Sequence, residues 1–173
     1  VIRQYGSGNA GTTNVLRTLG KSRALITFLG DALKGMIPVL IVKLVIGPAV
    51  PDLNSELLQL VLGFAVVLGH DFPFFLHFKG GKGIATSAAV MMGFDWRMGL
   101  CCLVIFVVVV AATRYVSLAS TLLSAALIAE ILIFYPGRWD LFVLIVLYAG
   151  FAIYRDRANI KRLLAGTESK LGQ

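Results

Sequence analysis

Four separated segments hold residues whose types and spacing suit chemistry on an oxyanion. The first, GSGNAGTTNVLRTLGKSR from Gly6 to Arg23, opens on small residues and takes helical character from Asn14 to Leu19. Gly6, Gly8 and Gly11 let backbone N–H groups approach an anion, with the hydroxyls of Ser7, Thr12 and Thr13 and the amides of Asn9 and Asn14 beside them. Arg17 falls one turn after Asn14, on the helical face of Thr13, and its planar fork suits bidentate phosphate contact. The same composition also fits a flexible loop whose hydroxyls cap a helix.

The second segment, GHDFPFFLHFKGGKGIATS from Gly69 to Ser87, ends an apolar run and turns at Pro73. It then presents Gly80, Gly81 and Gly83 around Lys82 at a helix start. Backbone amides and one lysine there suit an oxyanion, with Thr86 one turn on from Lys82. A nucleotide loop of the GxxxxGK[ST] type is absent, because Gly83 stands where the Ser or Thr belongs. His70 can serve as a general base or as a satisfied interfacial histidine, whereas His77 reads as structural. The third segment is a stripe of Ser117, Ser120, Thr121 and Ser124 at helical spacing, which close helix packing also explains; Ser117, beside Arg114, is its candidate site member. The fourth, YRDRANIKRLLAGTESKLG, combines Arg155, Arg157, Lys161 and Arg162 with Ile160, Leu163 and Leu164 at amphipathic spacing, which suits an anionic bilayer surface. That role leaves the neutral Asn159 and the acidic Glu168 unexplained. Asp31, Lys34 and Lys43 lie inside an apolar run, where charges are costly and count as functional candidates, although Asp31 and Lys34, three apart, can simply neutralise each other.

The elements that must position these residues are membrane helices. Of 173 residues 58% are apolar and 14% charged, far from the balance of a water-soluble domain. The apolar residues form blocks at about Ala24 to Ile46, Leu57 to Gly69, Met98 to Thr113, Tyr115 to Tyr135 and Leu141 to Tyr154, with a weaker small-residue stretch from Gly81 to Phe94. If that stretch crosses, one side of the membrane holds just Arg97 and Arg138, and the other holds every lysine and arginine outside the first apolar block. The positive-inside rule then favours crossing, with the four polar segments sharing the cytoplasmic side. The expected fold is an all-α polytopic membrane bundle of about six transmembrane helices. Residues 1–173 read as a single helical membrane domain, with 156–173 as a cytoplasmic amphipathic tail.

The net charge of +7 suits anionic headgroups and phosphorylated small molecules. A nucleic-acid partner is not expected, since the aromatic residues lie mainly in the apolar blocks and no recognition motif is present. The adjacent Cys101 and Cys102 sit in an apolar run and read as small core hydrophobes. A lipid-headgroup transferase that holds metal on clustered aspartates is unsupported, because Asp31, Asp52, Asp71, Asp95, Asp140 and Asp156 are scattered. An acyltransferase of the His-x4-Asp type fails too, because Asp71 follows His70 directly.

The ordered set SGNAGTTNVLR, DALKG, GHDFPFFLHFKGGKGIAT, RYVSLAS and RANIKRLLAGTESK, across nearly the whole chain, resembles the acyl-phosphate-dependent glycerol-3-phosphate acyltransferases, the PlsY family. The resemblance implies acyl transfer from acyl phosphate to the 1-hydroxyl of sn-glycerol 3-phosphate, giving lysophosphatidic acid and phosphate in phospholipid synthesis. It also implies a bacterial inner (plasma) membrane location and a cytoplasm-facing site at the edge of a seven-helix bundle. The seventh span lies upstream of the first motif, and this chain starts too late to include it. Family site residues map onto Ser7, Asn9, Thr13, Asn14, Arg17, His70, Gly80, Gly81, Lys82, Thr86, Ser117, Asn159 and Glu168. With Gly8 from the glycine-rich segment, the expected catalytic residues are Ser7, Arg17, His70, Lys82, Asn159 and Glu168. The expected substrate-binding residues are Gly8, Asn9, Thr13, Asn14, Gly80, Gly81, Thr86 and Ser117. Neither metal nor cofactor is expected, and membrane lipids are the expected surroundings.

Acyl phosphate is a mixed anhydride that already carries its leaving group, so holding two phosphates and stabilising the departing one is the main task, for which Arg17 and Lys82 are suited. The expected base for the hydroxyl is a substrate phosphate, with His70 as the protein alternative. A transporter or exchanger of phosphorylated metabolites is the rival from another class, since it too would need cationic loops and charged spans. It would also need access from both sides, whereas the polar motifs gather on one.

Overall fold

Each apolar block becomes a helix. The computed structural model describes residues 2–6 and 8–172, with no strand among them. A 3₁₀ turn (Ile2–Gln4) precedes α1 (Thr12–Leu19), and α2 (Lys21–Ile41) runs through a π-helical segment (Val42–Ile46) into one further turn, α3 (Gly47–Ala49). Then come α4 (Ser55–Asp71), a 3₁₀ turn (Phe74–Leu76), α5 (Ile84–Phe94), α6 (Trp96–Thr113), α7 (Val116–Phe134) and α8 (Trp139–Leu164). The starts follow local chemistry: the Asn54 side chain accepts from the Leu57 amide at 3.2 Å, and Asp95 accepts from the Arg97 amide at 2.9 Å. The π segment follows Pro38, which has no N–H for the α2 ladder.

Four stretches are long and apolar enough to cross a membrane: Lys21–Ala49, Ser55–Leu76, Trp96–Thr113 and Val116–Phe134. Two more make up the expected count of about six. The 11 residues of α5 rise only about 16 Å at 1.5 Å each, about half of a ~30 Å hydrocarbon core. Helix α8 has 26 residues, but Asp140, Arg155 and Asp156 break its apolar run. Length and composition therefore single out four spans.

The chain divides into two compact units, Val1–Phe94 and Asp95–Gln173. In the first, α2 packs on α5, α4 and α1. Gly35 permits the α2–α5 approach, since a Cβ there would lie 2.7 Å from the Thr86 carbonyl oxygen. Lys43 donates to the carbonyls of Gly93 (3.2 Å) and Phe94 (2.7 Å), capping the C-terminal end of α5. The sequence makes Lys43 a functional candidate, and the fold gives it a structural partner instead. In the second unit α7 packs against both α6 and α8 around Leu123, Leu127, Ile131, Leu141 and Ile145.

Candidate functional site

In the first unit the glycine-rich segment is organised from its own helix. Asn14, buried at the start of α1, donates from its amide nitrogen to the carbonyls of Ile2 (3.3 Å), Tyr5 (3.1 Å) and Asn9 (2.8 Å). The Asn9 side chain in turn accepts from the Gly11 amide at 2.7 Å. Gly6 is needed for this wrapping: its φ is +59°, and a Cβ there would lie 2.2 Å from Asn14 Oδ1. Gly8 also has positive φ, and α1 begins without a side-chain cap. Both asparagines thus shape the loop that leads into α1, the helix from which Thr13 and the half-buried Arg17 project. Ser7 lies outside the described residues.

Residues Lys79 to Gly83 form a non-helical strip against the end of α4. The Gly80 amide donates to the Asp71 carbonyl at 3.0 Å and the Gly81 amide to the His70 carbonyl at 3.2 Å. The sequence reading offered these two amides to an oxyanion, but here they close the last turn of α4. Their lack of side chains has a different reason: a Cβ at Gly80 would lie 2.0 Å from the His70 carbonyl oxygen, and one at Gly81 the same distance from His70 Nε2. The strip can lie this close to the helix only as glycine. Lys82 follows, half-buried, just before α5. Thr86 is fully buried against Gly35 of α2, which in this position makes it a packing residue rather than a pocket wall.

A shallow cavity of about 210 Å³ opens over this strip, with Ala10, Asp31, Lys34, His70, Gly80 and Gly81 among its walls. Lys34 Nζ lies 2.6 Å from Asp31 Oδ1 and 2.5 Å from His70 Nδ1. The Asp31–Lys34 pair therefore does more than neutralise itself. At the rim, Phe74 and Phe75 stand edge to face and are largely exposed. His77 and Phe78 complete that turn with left-handed backbone, uncommon for side chains of their size.

The second unit gathers another cluster around Glu168. Its Oε1 accepts from Ser117 Oγ (3.0 Å) and Asn159 Nδ2 (2.8 Å), and its Oε2 from Arg162 Nε (2.7 Å). The backbone makes this possible by reversing after α8. The Gly166 amide donates to the Leu163 carbonyl and the Thr167 amide to that of Arg162, with Gly166 at φ +68°. Arg114 then ties the strap down, its Nε donating to the Leu171 carbonyl at 2.9 Å while its own carbonyl accepts from the Leu171 amide at 2.7 Å. Residues 156–164 continue α8 unbroken, and those after Ala165 return to the start of α7.

Two residues here escape the sequence reading. Arg162 is masked by the amphipathic pattern that explains its charge, although its separation from Glu168 across a glycine turn is a usable signal. Asp156 is buried and hydrogen-bonded to Ser120, whose hydroxyl also reaches the Ser117 carbonyl at 3.0 Å. Ser124 bonds back to the Ser120 carbonyl at 2.7 Å, so most of the serine stripe is packing and only Ser117 joins the Glu168 cluster. Among the described residues no group of His, Cys, Asp or Glu is placed to hold a metal ion.

At the far end of the same unit, Asp95 is held by the Arg97 guanidinium (2.6 Å to Oδ2) and by the Tyr135 hydroxyl (3.1 Å). Burial raises the pKa of this carboxyl, but the hydrogen bonds from Arg97 and Tyr135 outweigh it and bring it below the ordinary aspartate value. Arg138 is likewise paired with Asp140 at 2.9 Å.

Residues 1–166 match the family described as glycerol-3-phosphate acyltransferase. A glycerol-3-phosphate acyltransferase of Thermoanaerobacter sp. (strain X514) is 49% identical over 172 residues, covering 99% of this chain and 82% of the relative. One from Clostridioides difficile (strain 630) is 46% identical over 173 residues, with the same coverage of 99% and 82%. The structure is similar to the crystal structure of PlsY, an integral membrane glycerol 3-phosphate acyltransferase, in its glycerol 3-phosphate form. That match has a TM-score of 0.88 at 35% identity and covers 99% of this chain and 82% of the other. The lysophosphatidic acid form of the same enzyme matches with a TM-score of 0.85 at 34% identity, covering 96% and 82%.

Proposed function

The chain belongs to the glycerol-3-phosphate acyltransferase family and is an integral membrane enzyme that acylates glycerol 3-phosphate, and from that premise we propose that its donor is an acyl phosphate and its acceptor atom the 1-hydroxyl. The observation that carries the reading is the similarity over 99% of the chain to an acyltransferase solved with glycerol 3-phosphate. Family membership sets the transporter reading aside.

In the proposed reaction the acceptor hydroxyl oxygen attacks the acyl carbonyl carbon, the carbon–oxygen bond to phosphate breaks, and inorganic phosphate leaves with the electron pair. The hydroxyl proton passes to a substrate phosphate oxygen. No acyl-enzyme is required, because the donor is already an activated anhydride. Arg17 and Lys82 offset the charge of the two phosphates, with Ser7, Gly8 and Thr13 contributing from the glycine-rich segment. Asn9 and Asn14 hold that segment in shape. Gly80 and Gly81 bring the strip against His70 and the end of α4, with Lys82 next along it, and Thr86 fixes α5 on α2. Ser117, Asn159 and Glu168 act as a preformed polar cluster that orders the start of α7 for substrate contact.

For topology we propose about six crossings, with α5 and the non-helical Lys79–Gly83 segment together completing one; non-helical backbone at membrane depth is tolerated where protein covers it. Outside the first apolar block, this arrangement leaves just Arg97 and Arg138 of the lysines and arginines on the external side, which supports a cytoplasmic site in a bacterial inner membrane.

The experiment supplies purified protein with glycerol 3-phosphate and either acyl phosphate or acyl-CoA, with and without a metal chelator, and follows lysophosphatidic acid. Product from acyl phosphate alone, unaffected by chelation, is expected. Product that forms only from acyl-CoA would sink the donor assignment.

A further inference from the structure

We propose that Lys34 is a positioning residue that fixes His70 in one tautomer, so that the imidazole donates a hydrogen bond to a substrate phosphate oxygen and is barred from acting as the general base. This rests on the reading that the cavity beside it takes the phosphorylated substrate.

Helical spacing places Asp31 and Lys34 on one face of α2, and from there they reach the last turn of α4. An ammonium group has three donors and no acceptor. At 2.5 Å from Lys34 Nζ, His70 Nδ1 must therefore present its lone pair. The Asp31 carboxylate is 3.4 Å from the same nitrogen, too far for a good N–H···O bond, but only 2.6 Å from Lys34. Asp31 thus aims the ammonium, and the ammonium aims the ring. The ring proton is left on Nε2, the atom that packs over Gly81, in a ring that lines the cavity. A second proton at Nδ1 would expel Lys34 or place two cations in contact.

Of the ionisable groups on the elements around His70, Asp31 and Lys34 on α2 and Asp71 on α4 lie at the His70 end, followed by His77, Lys79 and Lys82 in the segment leading to α5, with Arg17 on α1; Lys21 and Arg23 on α2 and Glu56 on α4 lie two or more helical turns away along their helices, and α5 carries none. Asp71 is directed to Gly83, where a Cβ would lie 3.0 Å from its Oδ1. Lys34 and Asp31 both lie within 4 Å of His70 Nδ1.

The chain has two histidines, so His77→Asn leaves His70 as the single ring to observe. The ¹⁵N spectrum of histidine-labelled His77→Asn protein in nanodiscs should show Nδ1 unprotonated and Nε2 protonated at neutral pH; a protonated Nδ1 overturns the proposal. This reading needs no turnover, so absence of lysophosphatidic acid would fault the assigned reaction and leave the tautomer test standing. Kinetically, wild type should show no limb that His70→Gln removes, and His70→Gln, which keeps an N–H donor, should stay within about tenfold. Lys34→Met should lower kcat/KM by about ten- to a hundredfold. It should also introduce an acid limb that wild type lacks, and that limb should vanish in Lys34→Met/His70→Gln. A Lys34→Met profile without the new limb, or a wild-type limb that His70→Gln abolishes, contradicts the proposal.

Discussion

A methyl group added to Gly81 would place its carbon 2.0 Å from Nε2 of His70. No real pair of atoms tolerates that separation, so the histidine or the strip would have to move. Gly81→Ala should leave the helices intact but displace the ring from the cavity wall. Overpacking of this kind typically costs about 1–3 kcal/mol, and each ~1.4 kcal/mol is a factor of ten in rate. We expect a loss of about tenfold or more in kcat/KM with the protein still monodisperse in detergent. Wild-type kinetics in Gly81→Ala would show that the strip does not constrain His70.

Helix positions were legible in the sequence because apolar blocks have lengths set by the bilayer, and each block corresponds to a helix within a few residues, except that α8 continues past Tyr154 to Leu164. Side-chain destinations were less legible. The motif glycines pointed to close backbone approach, but not to which group approaches: at Gly80 and Gly81 it is His70 and the end of α4, with both amides already bonded. Lys43 could not be told from a functional cation, since only the packing of α2 on α5 brings the Gly93 and Phe94 carbonyls to it. Glu168 stood out because an acid does not help a membrane-surface helix. Its partner Arg162 did not, because a basic residue on such a helix already has an explanation.

Lys43 should therefore behave as a structural residue. Lys43→Met removes two donors from the carbonyl end of α5, and hydrogen bonds to charged groups are worth about 1.5–3 kcal/mol. Thermal unfolding should shift down by several degrees while kcat/KM stays within about threefold. A large kinetic loss at unchanged stability would return Lys43 to the functional candidates.

The Glu168 cluster predicts an order of effects. Its side chain is 6% exposed and Arg162's is 44%, so removing the acid strands three donors, whereas removing the arginine takes away one partly solvated partner. Breaking a buried pair by deleting one member costs about 3–5 kcal/mol, and an exposed pair is worth about 0–1. Glu168→Ala should lose on the order of a hundredfold or more in kcat/KM, and Arg162→Ala distinctly less. The reverse order would mean that Arg162, and not Glu168, carries the function of the cluster.

The cations give the sharpest test of the phosphate assignment. Donor and acceptor each bring a phosphate group of up to about two negative charges near neutral pH. Placing them within bonding distance in a partly dry site is strongly unfavourable without fixed positive charge. Arg17 projects from the helix that Asn14 ties to the glycine-rich loop, and Lys82 sits at the end of a strip locked to α4, so neither position can drift to compensate for loss of the other. Removing one partner of a desolvated charge pair typically costs about 2–5 kcal/mol, which at ~1.4 kcal/mol per decade is roughly tenfold to several thousandfold. Arg17→Ala and Lys82→Ala should each fall in that range while remaining folded and membrane-inserted. Arg17→Lys should also fail substantially, because a point charge does not reproduce a bidentate fork. Cys101→Ala and Lys170→Ala, which alter a half-buried thiol in α6 and a half-buried lysine of the strap over Tyr115, serve as controls expected near wild type. If well-folded Arg17→Ala and Lys82→Ala both kept most of their activity, the phosphates would have to be held elsewhere, and the assignment of both segments would fall even with the family unchanged.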